Sequence, residues 1–285
     1  MTEFVSNNEG AIRLLFFLGI FSAVGIAEII YPRRSLTTSK SWRWFANVGI
    51  IFLNTFFIRL LFSAGAVGVA LFVSEHNWGI FNSLAIPNWL AVILTVIILD
   101  FVIYLQHVMF HAVPTLWRLH MMHHADMDID VTTGTRFHPI EMILSMLIKA
   151  SAIIVLGAPA LGVIIFEIIL NGTAMFNHGN VKLPIDLDAV LRLFVVTPDM
   201  HRVHHSVFPV ETNSNFGFSL PWWDRLMGTY RAQPMKGHSG MTIGLNQFRN
   251  PGNLGLINLL KMPFVGPQGA YAINRRGQSG NPTDR

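Results

Sequence analysis

The chain contains no cysteine in its 285 residues. That absence excludes disulfides, iron–sulfur clusters, thiolate zinc sites and a cysteine nucleophile. It carries no information about compartment. Charge is scarce as well, at 13% Asp, Glu, Lys and Arg, about half the share of an ordinary soluble domain. Hydrophobic residues make up 52% of the chain, Phe alone occurs 22 times, and the mean hydropathy is +0.46. These values argue against a water-soluble globule and for an integral membrane protein, all-α by its span-length apolar runs. Acidic residues are the scarcer sign, 16 against 20 basic, for a net charge of +4. In a membrane protein such an excess marks cytoplasmic loops that face anionic lipid, so no nucleic-acid partner is expected.

What is abundant is apolar sequence in span-length runs. Residues 11–31 are almost wholly apolar, and twenty helical residues rise about 30 Å, the thickness of a bilayer core. The run is too long for the core of a cleaved signal peptide and is read as a spanning helix. Residues 44–74 form a second run, interrupted by Asn54 and Arg59, and residues 89–110 a third. Residues 140–177 are apolar again but broken at Gly157, Ala158 and Pro159. They predict a helical hairpin, 140–156 and 159–177, as the fourth element. About four spans result, the last two elements delivering a histidine-rich helical cap. The loop 32–43 holds Arg33, Arg34, Lys40 and Arg43, whereas 75–88 has no Lys or Arg. The positive-inside rule then puts the first loop, the histidines and the C-terminus in the cytoplasm. One domain is expected over 1–265, and the Gly-, Asn-, Gln- and Arg-rich stretch 266–285 is expected to be a disordered tail.

Twelve histidines are present, and nine of them fall into a pattern. His107 and His111 are four apart. His120, His123 and His124 form an H-x-x-H-H triplet, as do His201, His204 and His205, and His178 lies alone between the triplets. At this histidine frequency the triplet should occur about 0.02 times by chance in a chain of this length; it occurs twice. On a helix, residues three or four apart share a face, whereas adjacent residues diverge by about 100°. One triplet can therefore serve two neighbouring metals, and nine imidazoles are too many for one ion. Imidazole ligands suit iron, zinc, copper or nickel. No H-E-x-x-H occurs, which speaks against a zinc protease. A bis-histidine haem would need two facing ligands deep in the bilayer rather than clusters at its edge. Two non-haem irons with dioxygen as cosubstrate account for number, spacing and location together.

With these residues in view, the chain resembles the fatty acid hydroxylase/sterol desaturase superfamily from about Asp100 to Tyr230. The H-x3-H, H-x2-H-H, lone His and second H-x2-H-H elements stand in the family order. Arg136-Phe137-His138-Pro139-Ile140-Glu141 is similar to the family's R-x-H-P-x-E. Asn215-Phe216-Gly217 followed by Trp222-Trp223-Asp224-Arg225-Leu226-Met227-Gly228-Thr229 is similar to its N-[YF]-G…W-D-R-x-x-G-T segment. Some fatty-acyl hydroxylases carry a further His four residues before the lone one; here that position is Ala174. The resemblance implies a helical membrane fold, two irons on the nine histidines, and O2-dependent hydroxylation of an aliphatic C–H bond in a lipid or other hydrophobic substrate. A desaturase acting on a sterol-like or acyl lipid is the alternative. A metal-binding membrane protein without oxygen chemistry is the reading from a different class. No cytochrome, flavin or ferredoxin motif occurs in the sequence, so a separate electron donor (cytochrome, ferredoxin or reductase) is expected.

Supporting residues are expected around the metals. Asp100 shares a helical stripe with Tyr104, His107 and His111, and a carboxylate within a span is costly unless it does something; it is expected to bond an imidazole or hold an arginine, with a purely structural helix–helix contact as the alternative. Asp126 and Asp199 lie two residues from a cluster and are candidates to orient ring nitrogens. His138 precedes Pro139 and is either a helix-entry residue or a ligand. Asn215 and Asp224 are further candidates from the matched segments. Trp222 and Trp223 are expected at the lipid interface or an acyl entrance, Glu167 and Asn171 along a substrate path, and His76 and His238 in exposed loops.

Overall fold

The computed structural model describes residues 8–274. They contain helices and no strands, only two isolated β-bridges, Pro32 with Val181 and Ser206 with Ile243. Five helical stretches are long and apolar enough to cross a bilayer. The first is α1 (Glu9–Ile30). The second is composite: α2 (Lys40–Leu61) is capped by the Ser39 hydroxyl, which accepts from the Trp42 N–H, and α3 (Gly65–Glu75) begins on a glycine at φ +60°. The apolar run 44–74 is therefore two helices, broken at residues 62–64, with Asn54 bonded to the Phe137 carbonyl and Arg59 exposed in the last turn of α2. After a short α4 (Ile80–Ser83) comes α5 (Asn88–Ala112). The hairpin consists of α7 (Pro139–Leu156) and α8 (Ala160–Asn177). Gly157 closes it at φ +70°, packed so tightly on Trp78, Gly79 and Asn82 that a Cβ would collide with them.

α8 is the central helix, packed on α1, α3 and α5. Arg13 of α1 and Lys149 of α7 both pair with the buried Glu167 of α8. Glu167 is thus an ion-pair centre that locks the bundle rather than a lining of a substrate path, and Asn171 donates to the Glu167 carbonyl.

The cap lies at the other end. α6 (Pro114–His124) follows α5 directly because Pro114 cannot continue the preceding helix and is favoured at a first helical position. Then come α9 (Ile185–Leu191), α10 (Pro198–His204), α11 (Pro209–Thr212), α12 (Trp222–Leu226), α13 (Gly237–Gly240) and α14 (Leu256–Val265). The basic loop between α1 and α2 belongs to this end: Arg33 pairs with Asp199, and Thr37 and Thr38 donate to Asp128. Histidines and basic loop therefore share one side.

The expected disordered tail needs correction up to residue 274. Tyr271 and Ala272 are buried, the Tyr271 ring stacks on Trp117, and the N–H groups of Ile273 and Asn274 donate to the carbonyls of His111 and Ala112. An aromatic ring buried against Trp117 holds this stretch despite its polar composition. Residues 275–285, the rest of that expectation, lie outside the described residues.

Candidate metal centre

Four elements deliver the nine histidines to one buried volume. α5 brings His107 and His111, α6 brings His120, His123 and His124, the C-cap of α8 is His178, and α10 with its C-cap brings His201, His204 and His205. α10 starts where it does because the Thr197 hydroxyl accepts from the Met200 N–H and Pro198 occupies the first turn. All nine rings are buried.

They separate into two groups. His107, His111, His120, His124 and His204 form one, and His123, His178, His201 and His205 the other, with one ring nitrogen of each within 4.8 Å of the rest of its group. Each H-x-x-H-H triplet is divided by helix geometry. The i, i+4 pair His120/His124 goes to the first group and His123 to the second; His201/His205 goes to the second and His204 to the first. That is the consequence of 3.6 residues per turn.

Six of the nine rings have a partner at Nδ1, and those of His124, His201 and His205 have none. Nδ1 of His107 donates to the Phe216 carbonyl at 2.7 Å, His204 to Ser214 at 2.7 Å, His178 to Ala174 at 2.7 Å and His123 to Arg136 at 3.2 Å. His120 Nδ1 meets the Glu141 carboxylate at 2.6 Å, and His111 Nδ1 the Asn213 side-chain oxygen at 3.1 Å. A carbonyl only accepts, so the ring proton sits on Nδ1. In a neutral imidazole that leaves Nε2 as a bare lone pair. Burial, reinforced by repulsion among imidazoles, pushes His123, His124, His201, His204 and His205 well below the usual histidine range. Burial brings His178 down to about 4.

Bare Nε2 atoms nevertheless face one another closely. His107 lies 3.1 Å from both His120 and His204, and His178 lies 3.1 Å from His123 and His201 and 3.2 Å from His205. Lone pairs at that separation repel unless a cation stands between them. Nitrogens bonded to one ion at about 2.1 Å and at right angles to each other lie about 3 Å apart. His124 also presents both ring nitrogens buried without a hydrogen-bond partner, as does His111 its Nε2. The donor set therefore fits two metal ions, and its all-nitrogen chemistry suits iron as it does zinc, copper or nickel.

The residues expected to support the metals mostly act elsewhere. Asp100 bonds neither an imidazole nor an arginine; it accepts from the Trp223 indole and the Leu220 N–H. Asp126 pairs with Arg43 and Arg136 and accepts from Thr133. Burial alone would raise its pKa, but the two guanidinium groups outweigh it and hold it at about 2. Asp199 pairs with Arg33 and Arg202, which overcome burial to hold it below its usual range. Both carboxylates, though two residues from a cluster, bond arginines and not the rings. His138 caps α7, accepting from the Ile140 N–H, with its other nitrogen on the Leu260 carbonyl, outside both groups. His238 is buried rather than exposed, 3.6 Å from Asp199, and burial lowers it to about 4. His76 is exposed.

Asn215 and Asp224 work one step back. Asn215 adopts φ +53° and braces the chain through bonds to Met200, Arg231 and the Arg231 N–H. Asp224 accepts from the N–H groups of Phe216 and Gly217. Together they shape residues 213–216, which offer acceptors to His111, His204 and His107. Glu141 is the acceptor missing from the sequence-derived candidates; it ends the R-x-H-P-x-E stretch, which was its available signal. Two apolar rings complete the wall: Phe137 stacks on His123 with centroids 4.5 Å apart, and Phe218 approaches His107 at 5.1 Å.

Comparison with known proteins finds lipid hydroxylases and monooxygenases among the relatives. Residues 92–229 match the family model described as fatty acid hydroxylase. An ornithine lipid hydroxylase, OlsE, of Rhizobium tropici is 31% identical over 151 residues, covering 52% of this chain and 44% of the relative. An alkylglycerol monooxygenase of Xenopus tropicalis is 26% identical over 223 residues, covering 73% of this chain and 47% of the relative. The human alkylglycerol monooxygenase is 25% identical over 154 residues, 52% and 32% of the two chains. The chain thus spans less than half the length of these curated relatives. No solved structure matches.

Proposed function

We propose that this chain is an O2-dependent, di-iron lipid hydroxylase. The observation that carries the reading is the pair of inward-facing imidazole arrays within a stretch that matches the fatty acid hydroxylase family model. His107, His111, His120, His124 and His204 would hold one iron, and His123, His178, His201 and His205 the other. Bound there, the two ions supply the activation of dioxygen and the oxidising power needed to break an unactivated C–H bond. The chain contributes the rest. The Nδ1 acceptors fix the orientation of His107, His111, His120, His123, His178 and His204. Burial of all nine rings excludes water. Phe137 and Phe218 line the centre, and Phe218 belongs to the hydrophobic core with Ile103, Met146, Phe166 and Ala174. A hydrocarbon chain arriving from that core meets the centre without crossing water.

The relatives' names, ornithine lipid hydroxylase and alkylglycerol monooxygenase, support a lipid as substrate. Electrons come from a separate donor protein. The basic loop 32–43 supports a cytoplasmic site. Asn77→Cys should react with an impermeant thiol reagent from outside the cell, and Lys182→Cys should not. The reaction is tested by turnover under ¹⁸O2: one labelled oxygen in the product, and none from labelled water, is the expected result. An unlabelled alkene would make the enzyme a desaturase. Turnover without oxygen would overturn both readings.

A further inference from the structure

We infer that residues 185–194 and 220–227 form an in-plane element inserted into the leaflet on the histidine side, with the acyl chains of that leaflet as its partner. The inference needs only that α5 crosses a bilayer and does not depend on the hydroxylase reading.

The depth of this element can be read along two helices. Asp100 is twelve residues into α5, about 18 Å from its start and about 10 Å short of His107 at 1.5 Å per residue. Trp223 and Leu220 bond to Asp100, and the Trp223 ring lies 4.7 Å from Phe101. On α8, the Thr173 hydroxyl meets Ser219 at 2.9 Å, more than a helical turn below His178. Trp89, exposed at the start of α5, marks the far interface. A hydrocarbon core of about 30 Å measured from Trp89 ends near Met109, well above Asp100. The chain around Trp223 therefore stands beside the apolar middle of a span. The opposite end of the element is level with the near interface: the Lys182 N–H donates to the carbonyl of Tyr31, itself exposed at the end of α1.

The outer surface matches that depth. Ile185, Phe194 and Leu226 are 86%, 63% and 72% exposed, and Val190, Leu193 and Met227 are more than half exposed. On α5 itself, Leu105 and Met109 are exposed as well. In water the outer surface would be an apolar patch with no counterpart, whereas beside a span it is covered by lipid. Asp186 is exposed at the near-interface end of the element, and the polar side chains deeper in have partners within the protein, as immersion demands. The Trp222 indole donates to the Leu193 carbonyl, Arg225 donates to the Arg192 carbonyl and lies over the Tyr230 ring, and Arg192 pairs with Asp188. The intramembrane Asp100 thereby acquires a role: it fastens this element to α5.

The test uses the full chain, which has no native cysteine, in vesicles of phosphatidylcholine and phosphatidylglycerol. Leu226→Cys and Phe194→Cys carry a nitroxide, with Lys236→Cys as the water-facing control and Leu105→Cys as the lipid-facing one. Collision rates with oxygen and with a water-soluble nickel chelate are measured, in samples whose bound iron per chain equals that of the unsubstituted protein. The oxygen-to-nickel ratio at both test positions should exceed that at Lys236→Cys several-fold and approach that at Leu105→Cys. A ratio like the water-facing control would overturn the inference. So would low rates for both quenchers, which would mean that a second copy or another protein covers the surface.

Discussion

Glu141 is the most exposing position for the two-group arrangement, because it touches one histidine of one group. Its carboxylate accepts from His120 Nδ1 at 2.6 Å, both side chains are nearly fully buried, and its second oxygen has no hydrogen-bond partner. A charge-assisted bond of this kind is worth about 1.5–3 kcal/mol. Acceptors behind metal-binding histidines typically account for about 10–100-fold in metal affinity. Glu141→Ala should therefore weaken iron at the first group by about 10–100-fold and leave the second group unchanged. Glu141→Gln keeps an acceptor oxygen but loses the charge, so its loss should be smaller. Titration against a competing chelator, with iron counted per chain, resolves the two groups as separate steps. Equal weakening of both groups, or full affinity in Glu141→Ala, would refute the assignment of His120 and the role of its acceptor.

Three further outcomes are expected. Asp126→Ala removes the carboxylate paired with the buried Arg136 and leaves Arg43 with Asp130 as its ion-pair partner, and should cost about 3–5 kcal/mol, read as a lowered melting temperature in detergent. The metal-free protein should lose stability as pH falls from about 6.5 toward 4: His178 is held at about 4 when folded and returns to about 6.5 when unfolded, so protons bind the unfolded chain preferentially in that window. Melting temperatures that stay level or rise on acidification there would contradict it. Phe218→Ala removes a ring 5.1 Å from His107 and should shift the position of oxidation along the substrate chain while iron binding is retained; an unchanged product would show that Phe218 does not line the path.

The parts of this molecule that were legible in the sequence are those that depend on spacing. Helical periodicity alone divides an H-x-x-H-H triplet between two directions, and the division of His120/His124 from His123 follows it. Apolar run length marked the helices, although it could not show the break at residues 62–64, where no proline stands. The acceptors behind the rings were mostly illegible because four of them are main-chain carbonyls, of Phe216, Ser214, Ala174 and Arg136. Any residue type supplies a carbonyl. Asp126 and Asp199 show the converse, since closeness in sequence gave no direction and arginines from distant segments claimed both. His238 lay in a polar stretch with no apolar periodicity, so its burial depends on tertiary packing that the local pattern does not encode.

Iron stoichiometry under reducing, iron-replete conditions tests the centre most directly. The unsubstituted chain should bind two irons. His204→Ala should lose the iron of the first group, and His123→Ala that of the second, each leaving about one per chain in protein that still resides in the membrane. A single iron in the unsubstituted chain, or two irons retained in both variants, would contradict the two-group centre.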